Sequence, residues 1–162
     1  VNTETEIRAL VAKAIAAQLD GADELAEAPV WALCRAYNGC GADWMPQFLR
    51  DRLTSLFAIF APAFLGHDWD YTNSDGGEEK FHAANLRLFT NCRRLADASY
   101  GWLNWRRYRA RAAALLIYET VEDFGRPAWL LAAGSSAVSC GAAVRRLVPE
   151  LQTKGTTNET NS

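Results

Sequence analysis

Between residues 78 and 100 the apolar side chains Phe81, Leu88, Cys92 and Leu95, with Asn85 among them, recur at alternating four- and three-residue steps. That spacing puts them on one helical face turned toward a second helix, whereas a strand would scatter them over both of its faces. Asn85 is the odd member. A buried amide costs free energy unless its polar atoms are satisfied, so Asn85 is either a register device or the partner of another buried polar group. Just upstream, Thr72-Asn73-Ser74-Asp75-Gly76-Gly77 is a dense turn signal that lets the chain reverse, which makes the preceding segment an antiparallel neighbour. That segment opens at Ala61-Pro62, where proline gives up an N–H that the first helical turn leaves unpaired in any case. Phe60, Phe64, His67 or Asp68, and Tyr71 then lie along one face, apolar at one end and polar at the other.

The remainder also reads as helix. Ile7, Leu10, Val11, Ala14, Ile15 and Leu19 form an amphipathic stripe that Asp20-Gly21 ends, and Pro29 starts a shorter helix through Tyr37. Asn38-Gly39-Cys40-Gly41 is a turn, followed by Leu49, Leu53, Leu56 and Phe57 at helical spacing. A long helix is expected from about Trp105 to Phe124, closed by Gly125 with Pro127 beyond it. Ala128 to Val144 reads as a small-residue packing helix. No run of β-branched and aromatic residues bounded by turns competes, so the fold class is all-α. With 162 residues, 49% of them hydrophobic, the chain suffices for one core, a single domain over 1–151. Residues 152–162, with little to bury, are expected to be a disordered tail.

A net charge of -2 argues against a nucleic-acid partner, which calls for a basic surface. The local cluster Arg93, Arg94, Arg106, Arg107, Arg109 and Arg111 either solvates helix faces, the favoured reading, or meets an anionic membrane surface. Cys34, Cys40, Cys92 and Cys140 contain no C-x-x-C pair and indicate neither a zinc site nor a disulfide framework. The first residues are acidic and polar, unlike a signal peptide, so the expected place of synthesis is the cytoplasm. Trp44, Trp69, Trp102, Trp105 and Trp129 read as packing residues rather than an interfacial rim, His82 as a solvated side chain and Asp70 as charge on the outer face.

His67 and Asp68 point about a hundred degrees apart on a helix and so serve different partners. His67 is a candidate general base, neutral in its ordinary state near pH 7, whose second nitrogen needs an acceptor from the opposite helix. Asn85 offers its side-chain oxygen there, and Tyr71 can donate to the same amide. Asp68, aimed elsewhere, is free to meet a hard cation such as calcium, which takes about six to eight oxygens, some of them from carbonyls of the glycine-rich turn.

Several motifs in order resemble the phospholipase A₂ superfamily, most closely the small phospholipase A₂-like proteins of bacteriophages and prophages. They are the Asn38 to Gly41 turn, the HDxxY run from His67 to Tyr71, Ala84-Asn85 with Phe89 and Asn91, and Tyr118 to Gly125 followed by Ala128-Trp129. The resemblance spans Asn38 to Trp129. It implies a calcium-dependent hydrolase of the phospholipid sn-2 ester acting at a membrane surface. In it His67 activates water, Asp68 with backbone near Gly39 and Gly41 holds calcium, and Tyr71 and residue 85 steady the imidazole.

The sequence departs from the family's pattern at residue 85, an asparagine in place of aspartate, which stabilises an imidazolium less. Phe64 replaces a cysteine that would pair with Cys40, and the turn runs into Ala42-Asp43 rather than another glycine. The rival reading is therefore a non-catalytic virion component, associated with other virion proteins or with membrane, that retains the helical platform. If residue 85 is all that weakens the site, Asn85→Asp is expected to raise turnover.

Overall fold

The computed structural model describes residues 3–38 and 57–134. The Gly39-Cys40-Gly41 turn, Trp44, the helix anticipated around Leu49 to Leu56, Cys140, the continuation of the small-residue helix and the 152–162 tail lie outside the described residues. The described residues are all-α, with no strand among them.

Helix α1, Glu4–Ala16, starts at Thr3, whose hydroxyl accepts from the Glu6 N–H while the Glu6 carboxylate accepts from the Thr3 N–H. This reciprocal cap satisfies donors that a bare helix start leaves open. The helix stops one turn before the anticipated end. Gln18 takes a left-handed conformation, and Leu19 enters the core from the turn while Ile15 stays exposed. Asp20-Gly21 then leads into a short helix that the sequence reading did not anticipate, α2, Ala22–Glu27. Helix α3, Val30–Ala36, follows Pro29 as expected.

A 3₁₀ turn, Ala58–Phe60, runs into α4, Ala61–Thr72, with Pro62 in its first turn. After the turn at 73–77 comes α5, Glu78–Ser99, and then α6, Trp105–Phe124, whose N-terminus is capped by the Asn104 side chain. Helix α6 closes at Gly125, as expected. Beyond it residues 126–134 form a further helix, α7, with Pro127 near its start. Proline fits that place because the first turn has no use for its missing N–H.

Helices α4 and α5 run antiparallel, as do α5 and α6, so α5 lies between the other two along its length. Every member of the expected α5 seam, Phe81, Asn85, Leu88, Cys92 and Leu95, is buried. The main core gathers Ile7, Leu25, Leu33, Phe60, Phe64, Leu65 and Leu88 with smaller residues around them. A fully buried side chain of that size contributes about 1.5–3 kcal/mol, which is why the seam fixes the pairing of α4 and α5. Asn91 ties the first turn to this frame: its amide oxygen accepts from the Asp20 N–H at 2.9 Å and its NH₂ donates to the Asp20 carbonyl at 3.0 Å.

A second cluster, Phe81, Ala84 and Trp129 with Tyr71 against it, fixes α7 beside the α4–α5 turn. Ser74 strengthens the join by donating to the Trp129 carbonyl at 3.1 Å. Trp129 is thus a packing residue, whereas Trp102 and Trp105 are exposed. Cys34 is a free thiol. Among the described residues, no helix is long and apolar enough to cross a membrane.

Candidate active site

The antiparallel pairing of α4 with α5 brings three polar side chains together under the apolar seam. His67 Nε2 lies 3.0 Å from Asn85 Oδ1, and the Tyr71 hydroxyl donates to the same oxygen at 3.0 Å. Because an amide oxygen only accepts, the proton of the imidazole sits on Nε2, and Nδ1 keeps a lone pair. Asn85 itself is fully buried. His67 keeps a partly exposed edge, yet burial pushes its pKa down to about 4, opposed by the Asn85 hydrogen bond and assisted by the positive charge of Arg87. The imidazole is therefore neutral near pH 7. Burial also holds the Tyr71 phenol protonated beyond its ordinary range, so it remains a donor to Asn85.

Tyr71 is held from three directions. His67 lies at a ring-centroid distance of 4.2 Å, Trp129 meets it edge-on at 5.2 Å, and Phe81 lies at 6.3 Å. Gly125 closes the pocket from α6. A Cβ placed on it would sit 2.5 Å from the Tyr71 hydroxyl, too close for any side chain, so only glycine leaves the phenol room to reach Asn85.

Asp68 points away from this group, as its position on the helix requires. Its carboxylate accepts from the Asn38 N–H at 3.0 Å, which puts it beside the first residue of the glycine-rich turn. Gly39 and Gly41, expected to offer carbonyls to calcium, lie outside the described residues. The carboxylate itself offers hard oxygens, the kind of ligand that a hard cation takes. Among the described residues there is no group of three or more His, Cys, Asp or Glu side chains placed to hold a metal ion.

His82 is exposed, as expected, with its Nδ1 2.7 Å from Glu122 Oε2 and its Nε2 3.2 Å from Glu78 Oε1. Asp70 is not simply an outer-face charge: it is nearly buried and is held by the Arg87 guanidinium through both nitrogens of one edge, with Glu24 as a second partner of Arg87. Glu122, which sequence reasoning passed over, accepts from Asn85 Nδ2 at 2.9 Å. One signal marks the face it lies on. Arg111, Ala114, Tyr118 and Glu122 recur at three- and four-residue steps, a row facing α5, where Asp97 meets Arg111 and Phe89 meets Tyr118.

The basic residues are largely committed. Arg107 and Arg111 both bind Asp97, whose carboxyl is held well below the ordinary range by hydrogen bonds from Arg111 first and Arg107 second. Arg94 binds Asp20, Arg93 lies over Phe89 and Arg109 over Trp105. A groove of about 740 Å³ lies between Glu24, Trp69, Asp70, Lys80, Arg87 and Trp129, and neither His67 nor Asp68 lines it. The imidazole and the groove are thus distinct features. No family model, curated protein or solved structure matches this chain.

Proposed function

We infer that the protein is a calcium-dependent, phospholipase A₂-like hydrolase of the phospholipid sn-2 ester. The observation that carries the reading is a neutral imidazole, anchored through Nε2 to Asn85, with the adjacent Asp68 carboxylate accepting from the Asn38 N–H. A base needs a lone pair, a fixed orientation and a neutral resting state, and His67 has these through its neighbours.

In the reaction, His67 Nδ1 takes a proton from a water whose oxygen forms a bond to the sn-2 carbonyl carbon. The bond from that carbon to the glycerol oxygen then breaks, and the proton on Nδ1 passes to the leaving alkoxide, giving a fatty acid and a lysophospholipid. Asn85 and Tyr71 hold the ring while it is charged, and the neutral amide stabilises the imidazolium less than a carboxylate would. Asp68 with backbone at Gly39 and Gly41 would hold calcium, which supplies Lewis-acid polarisation of the ester carbonyl when bound. A phospholipid surface is the implied partner.

The neutral residue at 85 also favours a second reading, a non-catalytic virion or membrane-associated component that keeps the platform. Fatty-acid release from phosphatidylglycerol vesicles separates the two. Release with calcium, abolished by a chelator and by His67→Gln, is the expected result. No release at any calcium concentration favours the structural component.

A further inference from the structure

We propose that Glu122 is a positioning residue for His67: by holding the NH₂ end of Asn85, it decides which way the amide faces and so which imidazole nitrogen keeps a lone pair. The catalytic consequence rests on the hydrolase reading above; the tautomer itself is a property of the folded protein.

An ionised carboxylate only accepts hydrogen bonds, so the amide must turn Nδ2 toward Glu122 Oε1, 2.9 Å away. With that end committed, Oδ1 faces His67 Nε2 and the Tyr71 hydroxyl, each at 3.0 Å, and both must donate. Rotating the amide by half a turn would set its carbonyl oxygen against the carboxylate and lose a charge-assisted bond. The orientation that puts the imidazole proton on Nε2 is therefore imposed from α6, two hydrogen bonds from the ring.

Glu122 is itself held. Its second oxygen faces His82 Nδ1 at 2.7 Å, His82 Nε2 faces Glu78 at 3.2 Å, and Glu78 pairs with Arg126. The charge stays at the rim of α5 and α6, and only its direction is carried inward by the neutral Asn85. A residue serving as a register device for α4 and α5 alone has no need of this bond to a third helix. The arrangement also changes what Asn85→Asp would do. The new carboxylate would meet that of Glu122, so this single substitution is not expected to raise turnover, while Asn85→Asp with Glu122→Gln reverses the pair and keeps its hydrogen bond.

The test is long-range ¹H–¹⁵N correlation on the full chain labelled in its histidines, with a chelator present and His67→Gln used to assign the ring. The unsubstituted protein should show one His67 tautomer, protonated on Nε2. In Glu122→Gln the side chain can donate or accept, and the tautomer ratio should move at least about tenfold toward Nδ1–H, the scale of exchanging a charge-assisted bond for a neutral one. The reversed pair should restore the single Nε2–H form. A His67 proton on Nδ1 in the unsubstituted protein overturns the proposal, as does an unchanged tautomer in folded Glu122→Gln and Glu122→Leu. Should both of those variants unfold, the reversed pair decides, and a mixture there also overturns it. Where hydrolysis is measurable, Glu122→Gln should lower kcat and leave KM unchanged. A chain with no hydrolase activity but the expected tautomers would sink the enzyme reading and leave this one standing.

Discussion

Two of the polar contacts between α4 and α5 lie about one turn apart and are built on opposite principles. At His67–Asn85 neither partner carries a formal charge, and the amide is wholly buried. At Asp70–Arg87 both partners are charged, and the contact lies at the edge, where Arg87 is 29% exposed and also reaches Glu24. Desolvating an ion is costly, so charge is kept where water still reaches it and the interior junction is left to an amide. The two contacts are not independent, because the Arg87 charge is one of the causes that keep the imidazole deprotonated.

The largest loss is expected where the ion pair loses one member. Arg87→Met should cost about 3–5 kcal/mol in urea unfolding, because Asp70, its side chain 10% exposed, would be left charged without its partner. Arg87→Met combined with Asp70→Leu should recover most of that loss. If the double variant is no better than the single one, the pair is not the unit of stability described here.

Acid separates the neutral contact from the charged ones. The His67 pKa is about 4 in the folded protein against an ordinary 6.5, so the unfolded chain binds the extra proton first. Its contribution is therefore intact above about pH 6.5 and is lost as pH falls toward 4, a difference on the order of 3 kcal/mol. The carboxyl of Asp97 is also depressed, and its contribution is lost only at lower pH, as the solution passes below the ordinary carboxylate range. Unfolding measured across pH with a chelator present should show the upper step in the unsubstituted protein and not in His67→Gln. A step that persists without His67 would assign it to another group.

How much of this could be read beforehand follows from what a repeat along one helix encodes. The 81-85-88-92-95 seam names the buried face of α5, and the turn at 72–77 forces an antiparallel neighbour, so His67, Tyr71 and Asn85 meet as the spacing implies. Which residue of a third helix arrives opposite Asn85 depends on how far α6 slides along α5. That slide is set by Asp97 gripping Arg107 and Arg111 at one end and by Gly125 over Tyr71 at the other, contacts that no single-helix pattern contains. Asp70 was read as an outer charge for the same reason, since its partner Arg87 is seventeen residues away in sequence. Gly125 ends α6 as its place in the sequence implies, but its close approach to the Tyr71 hydroxyl is a second role that the stop signal does not contain.

That close approach sharpens the neutral contact further. Gly125→Ala would push a methyl group to 2.5 Å from the Tyr71 hydroxyl, and overpacking of this kind costs about 1–3 kcal/mol. The clash should be relieved in part by Tyr71→Phe, so the two substitutions together should cost less than their sum in thermal or urea unfolding. Strict additivity would mean that Gly125 and the phenol do not compete for space.

The smallest expected effect is the most selective. Tyr71→Phe removes one hydrogen bond to Asn85 Oδ1 but keeps the ring between His67, Phe81 and Trp129, so it should cost only about 1 kcal/mol. Asn85 keeps His67 and Glu122 as partners in that variant, and the lost donor leaves an acceptor half satisfied rather than orphaned. Glu122→Leu is different, because it strips the buried NH₂ of its charged acceptor. A cycle of Tyr71→Phe with Glu122→Leu therefore tests whether Asn85 is held from both helices at once. Loss of either partner loosens the amide, so the second loss should cost less than it does alone, and a cycle that closes at zero would leave the tyrosine as a packing residue with no share in holding the imidazole.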